Sequence, residues 1–188
     1  MNGWIVWITG LPGSGKSTVA KELLKILNKN KIFAQHIELD AIRKIIVPEP
    51  KYDESERDFV YRSLIVVAKF LSENGVNVII DAVGHRKIWR DLARNEMERF
   101  LEVYLKCPLD VCIERETNRK SDLVKRELYR KAKERLGTGK KFDGIGQVPG
   151  IDVKYEEPQK PDLTIETDKI DLKEGAEKIF EKINGMEW

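Results

Sequence analysis

The chain has 188 residues, of which 35% are charged, and 34 basic residues against 32 acidic ones give a formal net charge of +2. This length suits one domain with a full hydrophobic core. No charged segment followed by a long apolar one opens the chain, and no stretch is apolar enough to span a membrane. The two cysteines, Cys107 and Cys112, fall at a predicted strand-to-helix transition, where two buried, reduced thiols are expected rather than a disulfide or a metal site. We therefore expect a cytoplasmic protein that has no membrane partner.

A phosphate-binding motif lies near the amino terminus. Residues 10–17 read GLPGSGKS, a complete match to the P-loop pattern G-x-x-x-x-G-K-[ST]. An apolar run precedes the motif and a stretch with apolar residues at helical spacing follows it, as the strand-to-helix context of a P-loop requires. Lys16 is expected to reach the β- and γ-phosphates and Ser17 to be a Mg²⁺ ligand. A ligand-free glycine-rich turn is the alternative. The motif predicts an ATP or GTP site built from Gly10, Leu11, Pro12, Gly13, Ser14, Gly15, Lys16, Ser17 and Thr18.

Apolar strands alternate with amphipathic helices along the chain. Their alternation predicts an α/β fold in one domain, residues 1–188, with a parallel five-stranded sheet and helices on both faces. The segment 137–161 is rich in Gly and Pro and has the length of a lid or binding loop. Strands are predicted near 4–9, 33–39, 76–81, 101–107 and 163–167, and helices near 16–29, 55–74, 87–98, 109–118, 121–136 and 172–184.

Positive charge is concentrated between Arg115 and Lys141, where eleven Lys or Arg residues stand against four acidic ones. A solvated helix is the structural explanation of such a run. In a nucleotide-binding protein, we interpret it instead as a segment that closes over phosphates. Arg115, at its start, is predicted to contact the nucleotide.

Acidic residues follow two of the predicted strands, at the sheet edge where open α/β folds bind their ligands. Asp81 ends the third strand like a Walker-B aspartate and is predicted to help hold Mg²⁺, with a strand-end cap as the alternative. Glu38 and Asp40 follow the second strand, and Arg43 shares a helical face with Asp40. This carboxylate is suited to accept a substrate hydroxyl proton and the arginine to pair with a phosphate or sulfate, unless the two form only a helix cap with an ion pair.

The two histidines carry weaker signals. His36 lies within an apolar strand, where packing is the usual role of a histidine. His85 follows the third strand and is a candidate substrate contact.

Four segments stand out in chain order: GLPGSGKST, LEVYLKCPLDVCIER, ELYRKAKE and PGIDVKYEEPQKPDLTIET. Taken together, they resemble adenylylsulfate kinases. The resemblance runs from about Trp4 to Thr167 and implies a P-loop kinase fold with a helical lid at about 115–150. It also implies Mg²⁺ as cofactor, ATP as phosphoryl donor and the 3′-hydroxyl of adenosine 5′-phosphosulfate (APS) as acceptor, so the partner is a small anionic nucleotide.

The resemblance also implies roles for single residues. The segment ELDAIR is similar to the family pattern D-G-D-N-x-R, which makes Asp40 the acid near the attacking hydroxyl and Arg43 a substrate-binding arginine. The segment YDESERDFVYR is similar to F-S-x-x-D-R-x-E-N-x-R. Substrate-binding positions are thereby implied at Tyr52, Arg57 and Arg62, and a basic lid at Arg130, Lys131 and Lys133.

The chain departs from the family pattern at three places. Val60 replaces a substrate-contacting asparagine, and Gly84-His85 replaces a Ser-Pro pair, so no phosphoserine role is carried over. Val148 replaces a lid phenylalanine, for which Phe142 is a candidate substitute. These departures concern the acceptor more than the reaction type.

Other functions stay open on the sequence alone. The same chemistry on another nucleotide conjugate or hydroxyl metabolite is the nearest alternative. Transfer to an aminoacyl-tRNA would need an RNA-binding region for which 188 residues leave little room, so a nucleic-acid partner is not expected. A non-catalytic NTPase switch is disfavoured because no N-K-x-D motif is present. The sequence does not define the oligomeric state, and a homodimer is one expectation.

Overall fold

The computed structural model of the protein describes residues 2–118, 127–140, 142 and 146–186. One parallel five-stranded sheet runs through it. Its strands are β1 (Ile5–Thr9), β2 (Ala34–Glu38), β3 (Asn77–Asp81), β4 (Phe100–Lys106) and β5 (Leu163–Glu166). They lie side by side in the order β2-β3-β1-β4-β5. The sheet confirms the fold predicted from the alternation of strands and helices.

Seven helices lie within the described residues. Six of them correspond to predicted helices, although the helix predicted over 121–136 begins outside the described residues. Five of the basic residues counted above also lie outside the described residues: Arg119, Lys120, Lys125, Arg126 and Lys141. One short helix, Leu39–Ile46, is missing from the predicted bounds, although the helical face predicted for Asp40 and Arg43 lies in it. The helices are α1 (Lys16–Lys29), α2 (Leu39–Ile46), α3 (Glu54–Glu73), α4 (Lys87–Glu96), α5 (Leu109–Thr117), α6 (Leu128–Thr138) and α7 (Leu172–Asn184).

The central strand β1 is buried along its whole length because both faces of the sheet are covered. Val6 and Ile8 point to the face covered by α1 and α7. Ile5 and Trp7 alternate with them and pack against residues of α3 and α4 on the opposite face. This arrangement leaves the carboxyl end of β1, where the P-loop begins, as the open edge of the sheet.

A third apolar cluster joins α6 to α5 and to the segment after residue 146. Tyr129 lies in this cluster, 2% exposed, and its hydroxyl donates a hydrogen bond to the Pro12 carbonyl, 2.7 Å away. The same cluster contains Cys107 and Cys112, which are buried free thiols, as predicted. Helix α6, within the segment predicted to be a lid, therefore contacts the P-loop directly.

No helix in the described part of the chain combines the length and apolar character needed to cross a membrane.

Candidate active site

The P-loop connects β1 to α1, and its glycines are required by both backbone geometry and close packing. Gly13 has φ +82°, and a Cβ there would lie 2.4 Å from the Cys112 carbonyl oxygen. Gly15, the residue before α1, has φ +98°, and its Cβ would lie 2.8 Å from the Leu172 side chain. Side chains at these positions would be strained and would push the loop away from α5 and α7.

Lys16 is buried at the first turn of α1, inside the loop. Its ammonium group donates hydrogen bonds to the carbonyls of Gly10 and Leu11, at 3.1 and 2.8 Å. Burial is the larger influence on this group and lowers the pKa of Lys16, whereas the Asp81 carboxylate acts in the opposite direction. A cation held this way lies where the phosphate groups of a nucleotide would replace the carbonyls as partners.

The loop also contains a buried polar atom suited to a phosphate ligand. Within the described residues, the Ser14 hydroxyl oxygen is buried and has no hydrogen-bond partner. A hydroxyl left in this state costs free energy that a phosphate oxygen would recover. Together with the buried ammonium of Lys16, it makes the loop fit an anionic ligand.

Asp81 lies beside the P-loop because its strand, β3, pairs with β1, where Ile8 is the residue opposite it. Ser17 and Asp81 both line the cavity that opens beside the loop. Burial would raise the pKa of Asp81, but the nearby His36 ring, the Lys16 charge and the Ser17 hydroxyl together hold it below its ordinary value. The carboxylate is therefore ionised at neutral pH and, with the Ser17 hydroxyl, offers the oxygen ligands that Mg²⁺ prefers.

A cavity of about 970 Å³ extends from the P-loop across the open edge of the sheet. It brings together most of the predicted site residues, from both the nucleotide and the acceptor sets. Gly10, Leu11 and Ser14 belong to the loop but do not border the cavity within the described structure. The predicted residues that line it are Pro12, Gly13, Gly15, Lys16, Ser17, Thr18, Asp40, Arg43, Tyr52, Arg57, Asp81 and Arg115.

Helix α2 presents Asp40 and Arg43 together at the cavity wall. Their side chains form an ion pair, with Arg43 Nη1 3.2 Å from Asp40 Oδ1, and the Asp40 side chain is 53% exposed. The guanidinium also lies over the Tyr52 ring, 5.2 Å from its centroid. Tyr52 has φ +57°, and its backbone N–H is held by the Glu56 carboxylate at 2.8 Å. Arg43 therefore contacts both a carboxylate and an aromatic ring at the cavity wall.

Arg57, on α3, is a buried cation of the same wall. It donates hydrogen bonds to the carbonyls of Tyr52, at 3.2 Å, and Gln147, at 2.7 Å. Burial lowers the pKa of Arg57, but a guanidinium stays protonated at any physiological pH. These bonds connect α3 to the segment after residue 146. Arg57 therefore fixes a positive charge where that segment lines the cavity.

Arg115 also lines the cavity. Its guanidinium donates to the Thr167 carbonyl at 2.6 Å and to the Thr167 hydroxyl at 3.2 Å. Both bonds hold the planar group against the loop after β5.

The structure does not bring every predicted residue to the cavity. Arg62 is exposed and pairs with Asp58 at 2.6 Å. Lys131 pairs with Glu127 at 2.9 Å and stands over the Phe142 ring, 5.9 Å from its centroid. Neither lines the cavity as the described residues define it.

The residues that depart from the family pattern lie either in the core or at the cavity wall. Val60 and Val148 are fully buried core residues, and Phe142 packs against the cluster around Val148 without lining the cavity. Gly84 has φ +52°, and its turn directs His85 to the cavity wall. Burial, with the Arg57 charge, lowers the pKa of His85 to about 4, so its imidazole is neutral at physiological pH.

Two neighbouring residues of the site were missed or undervalued in the sequence. Tyr61 lines the cavity and accepts a hydrogen bond from the Gly84 N–H at 2.9 Å. It lies on the apolar face of α3, where a core role is the natural interpretation. His36 faces Asp81 rather than apolar neighbours alone, with Nε2 3.8 Å from Asp81 Oδ2. Only the pairing of β2 with β3, which the sequence does not display, reveals this contact.

Comparison with known proteins assigns a family to this arrangement. The family model described as Adenylylsulphate kinase matches residues 2–166. The chain belongs to this family. A protein of Archaeoglobus fulgidus named "Probable adenylyl-sulfate kinase" is 34% identical over 168 residues, which are 89% of this chain and 98% of that protein. The adenylyl-sulfate kinase of Halothermothrix orenii is 34% identical over 179 residues, 95% of this chain and 88% of that protein.

A solved structure supports the same assignment. The Mycobacterium tuberculosis APS kinase in complex with AMPPNP and APS has a TM-score of 0.81 and 30% identity to the chain, and the similarity covers 98% of this chain and 99% of that one. Membership of the adenylylsulphate kinase family makes this chain an ATP-dependent kinase with a P-loop fold, as the sequence predicted.

Proposed function

We propose that the chain transfers the γ-phosphoryl group of ATP to the 3′-hydroxyl of APS, giving 3′-phosphoadenosine 5′-phosphosulfate and ADP. One observation supports the proposal: a single cavity joins the P-loop to Asp40, Arg43 and Arg57. All of these residues lie in the part of the chain that matches the adenylylsulphate kinase family. A donor site and an anion-binding acceptor site face each other across the cavity. This is the arrangement that in-line phosphoryl transfer requires.

At the donor end, Lys16 and the backbone N–H groups of the P-loop bind the phosphates, and Arg115 contacts the nucleotide. Ser17 and Asp81 would hold Mg²⁺, which neutralises charge on the phosphate oxygens when it is bound. Because Lys16 is buried, its charge acts on the transferring group with little screening by water.

At the acceptor end, Asp40 accepts the proton of the 3′-hydroxyl. The hydroxyl oxygen bonds to the γ-phosphorus as the bond to ADP breaks and ADP leaves. Arg43 holds the Asp40 carboxylate in place, 3.2 Å away, and with Arg57 binds the phosphosulfate group. Tyr52 stacks on the adenine. Each of these groups lines the same cavity.

A second acceptor, a different nucleotide conjugate or hydroxyl metabolite, is favoured by one specific observation. Val60 and Val148 are buried in the core and offer the cavity neither an amide nor an aromatic ring. His85 lines the wall instead, as a neutral imidazole that can both donate and accept hydrogen bonds. An acceptor with a different polar group at this point would use it.

Product analysis tests the proposal. The protein is incubated with Mg·ATP and APS, and the nucleotides are identified by mass spectrometry. The expected product is APS carrying one additional phosphoryl group at the 3′ position, formed with an equal amount of ADP. The Lys16→Ala variant is the blank, since loss of its charge removes transition-state stabilisation of the transferring group. Formation of ADP without a phosphorylated APS product would contradict the proposal.

A further inference from the structure

Three metal-ligand side chains share one face of the sheet beside the P-loop. His36 and Glu38 are two residues apart on β2 and therefore point to the same face. Asp81 is the β3 residue paired with Glu38, so it joins them on that face. One donor atom from each side chain lies within 4.8 Å of the other two. The pairing of β2 with β3 thus builds a compact set of one nitrogen and two oxygen ligands.

The nitrogen ligand lacks a partner. His36 Nε2 is buried and makes no hydrogen bond within the described part of the chain. Its distance of 3.8 Å to Asp81 Oδ2 is too long for a hydrogen bond, although it suits two ligands of one ion. A buried ring nitrogen without a partner costs free energy, and a cation between the three groups would remove that cost.

The ligand set favours a particular class of ion. Mg²⁺ demands oxygen ligands and retains its waters, whereas an imidazole with carboxylates suits first-row divalent transition ions. Glu38 and Asp81 line the same cavity as Ser17 of the P-loop. The Lys16 charge acts on Asp81, so this set lies at the end of the cavity where phosphates would bind. An ion bound here would therefore lie beside the phosphates of a nucleotide.

We propose that His36, Glu38 and Asp81 form a protein-held site for a first-row divalent transition ion such as Mn²⁺, occupied before any nucleotide binds. The inference deepens the proposed function and rests on it only in that Asp81 was assigned there to the metal. It does not depend on which acceptor is phosphorylated.

Mn²⁺ alone, without nucleotide, is the probe. Free Mn²⁺ is followed by electron paramagnetic resonance as it is titrated into the protein, and pulsed measurements detect coupling of bound Mn²⁺ to an imidazole nitrogen. We expect one Mn²⁺ per chain with nitrogen coupling. The His36→Leu variant should bind Mn²⁺ at least about tenfold more weakly and lose the coupling.

The second histidine of the chain provides the matched control. His85→Asn should keep both the affinity and the nitrogen coupling, because His85 is not part of the ligand set. Glu38→Gln, which preserves side-chain shape, should weaken Mn²⁺ binding as well and serves if His36→Leu does not fold. Gln35→Ala, at an exposed position of the same strand, controls for effects on β2 itself.

Two results would overturn the inference: Mn²⁺ binding that is unchanged in both His36→Leu and Glu38→Gln, or binding of Mn²⁺ only after a nucleotide is added. Either result would leave the kinase proposal intact. Failure to phosphorylate APS, in turn, would leave the metal site standing, because the titration contains no substrate.

Discussion

Asp40 combines a fixed position with access to the cavity. Arg43 tethers its carboxylate at 3.2 Å, while its side chain stays 53% exposed. Asp40→Asn keeps the shape but cannot accept a proton, so kcat should fall by a factor on the order of 10²–10⁴. The KM for ATP should change much less, because the P-loop binds ATP. Initial-rate kinetics check both values.

The matched control is Asp110→Asn, an exposed carboxylate on α5 that does not line the cavity. If kcat is the same in Asp40→Asn as in the wild type, Asp40 is only a structural partner of Arg43.

Arg57 and Arg62 lie on the same helix, α3, but in different surroundings. Arg57 is buried at the cavity wall, whereas Arg62 is exposed and pairs with Asp58. Arg57→Ala should raise the acceptor KM by about 10- to 150-fold, the cost of a lost charge-assisted contact, and should affect the ATP KM far less. Arg62→Ala should change both values little, because exposed ion pairs contribute little.

Kinetics with each substrate varied in turn separate the two arginines. A larger effect from Arg62→Ala than from Arg57→Ala would reverse their order and would mean that Arg62 reaches the acceptor after all, as the resemblance implied.

Helix α6 contacts the P-loop through one side-chain hydrogen bond, in addition to its apolar packing. The Tyr129 hydroxyl donates to the Pro12 carbonyl at 2.7 Å. Tyr129→Phe removes the donor and keeps the ring in its apolar cluster, so the free energy of unfolding should fall by about 0.5–1.5 kcal/mol. Urea denaturation measures this change.

Lys133→Ala, at an exposed position of α6, is the control and should be close to neutral. Equal stability of Tyr129→Phe and the wild type would mean that this hydrogen bond does not stabilise the packing of α6 on the P-loop.

Most elements could be predicted because their apolar periodicity is strong, and β1, α1 and α3 agree with the structure within a residue or two. The bounds of helix α2 could not be predicted in this way, since it has eight residues and only Leu39 among them is buried. The same limit applies to the site. The P-loop is local in sequence and was recognised, but the contact of His36 with Asp81 arises from strand pairing between residues far apart in the chain. Tyr61 was hidden for a related reason, because a cavity wall and a core face look alike on a helix.

For the whole molecule, His85 couples stability to pH. Burial lowers the pKa of His85 from its ordinary value of 6.5 to about 4, so the folded protein keeps the ring neutral where the unfolded chain protonates it. Stability from this group is therefore complete above about pH 6.5 and is lost as the pH falls towards 4. His85→Gln has no ring to protonate and should lack this component.

The measurement is the free energy of unfolding of both proteins between pH 7.5 and 4. The difference in the free energy of unfolding between wild type and His85→Gln should be constant at the upper end of this pH range. As the pH falls, the wild type should lose stability relative to His85→Gln. A difference that does not vary with pH would contradict the assigned pKa.

The expected homodimer stays a prediction, which analytical ultracentrifugation of the same samples would check.

The compound that accepts the phosphoryl group defines the reaction of the whole molecule, and rate measurements with several acceptors identify it. Acceptor-dependent ADP release is measured at fixed Mg·ATP with APS and with a panel of other nucleotide and sugar hydroxyl compounds. The proposal predicts that APS gives the highest kcat/KM of the panel and that Arg57→Ala lowers this value. If APS is inert while another hydroxyl compound is phosphorylated, the kinase assignment stands and the APS assignment is contradicted.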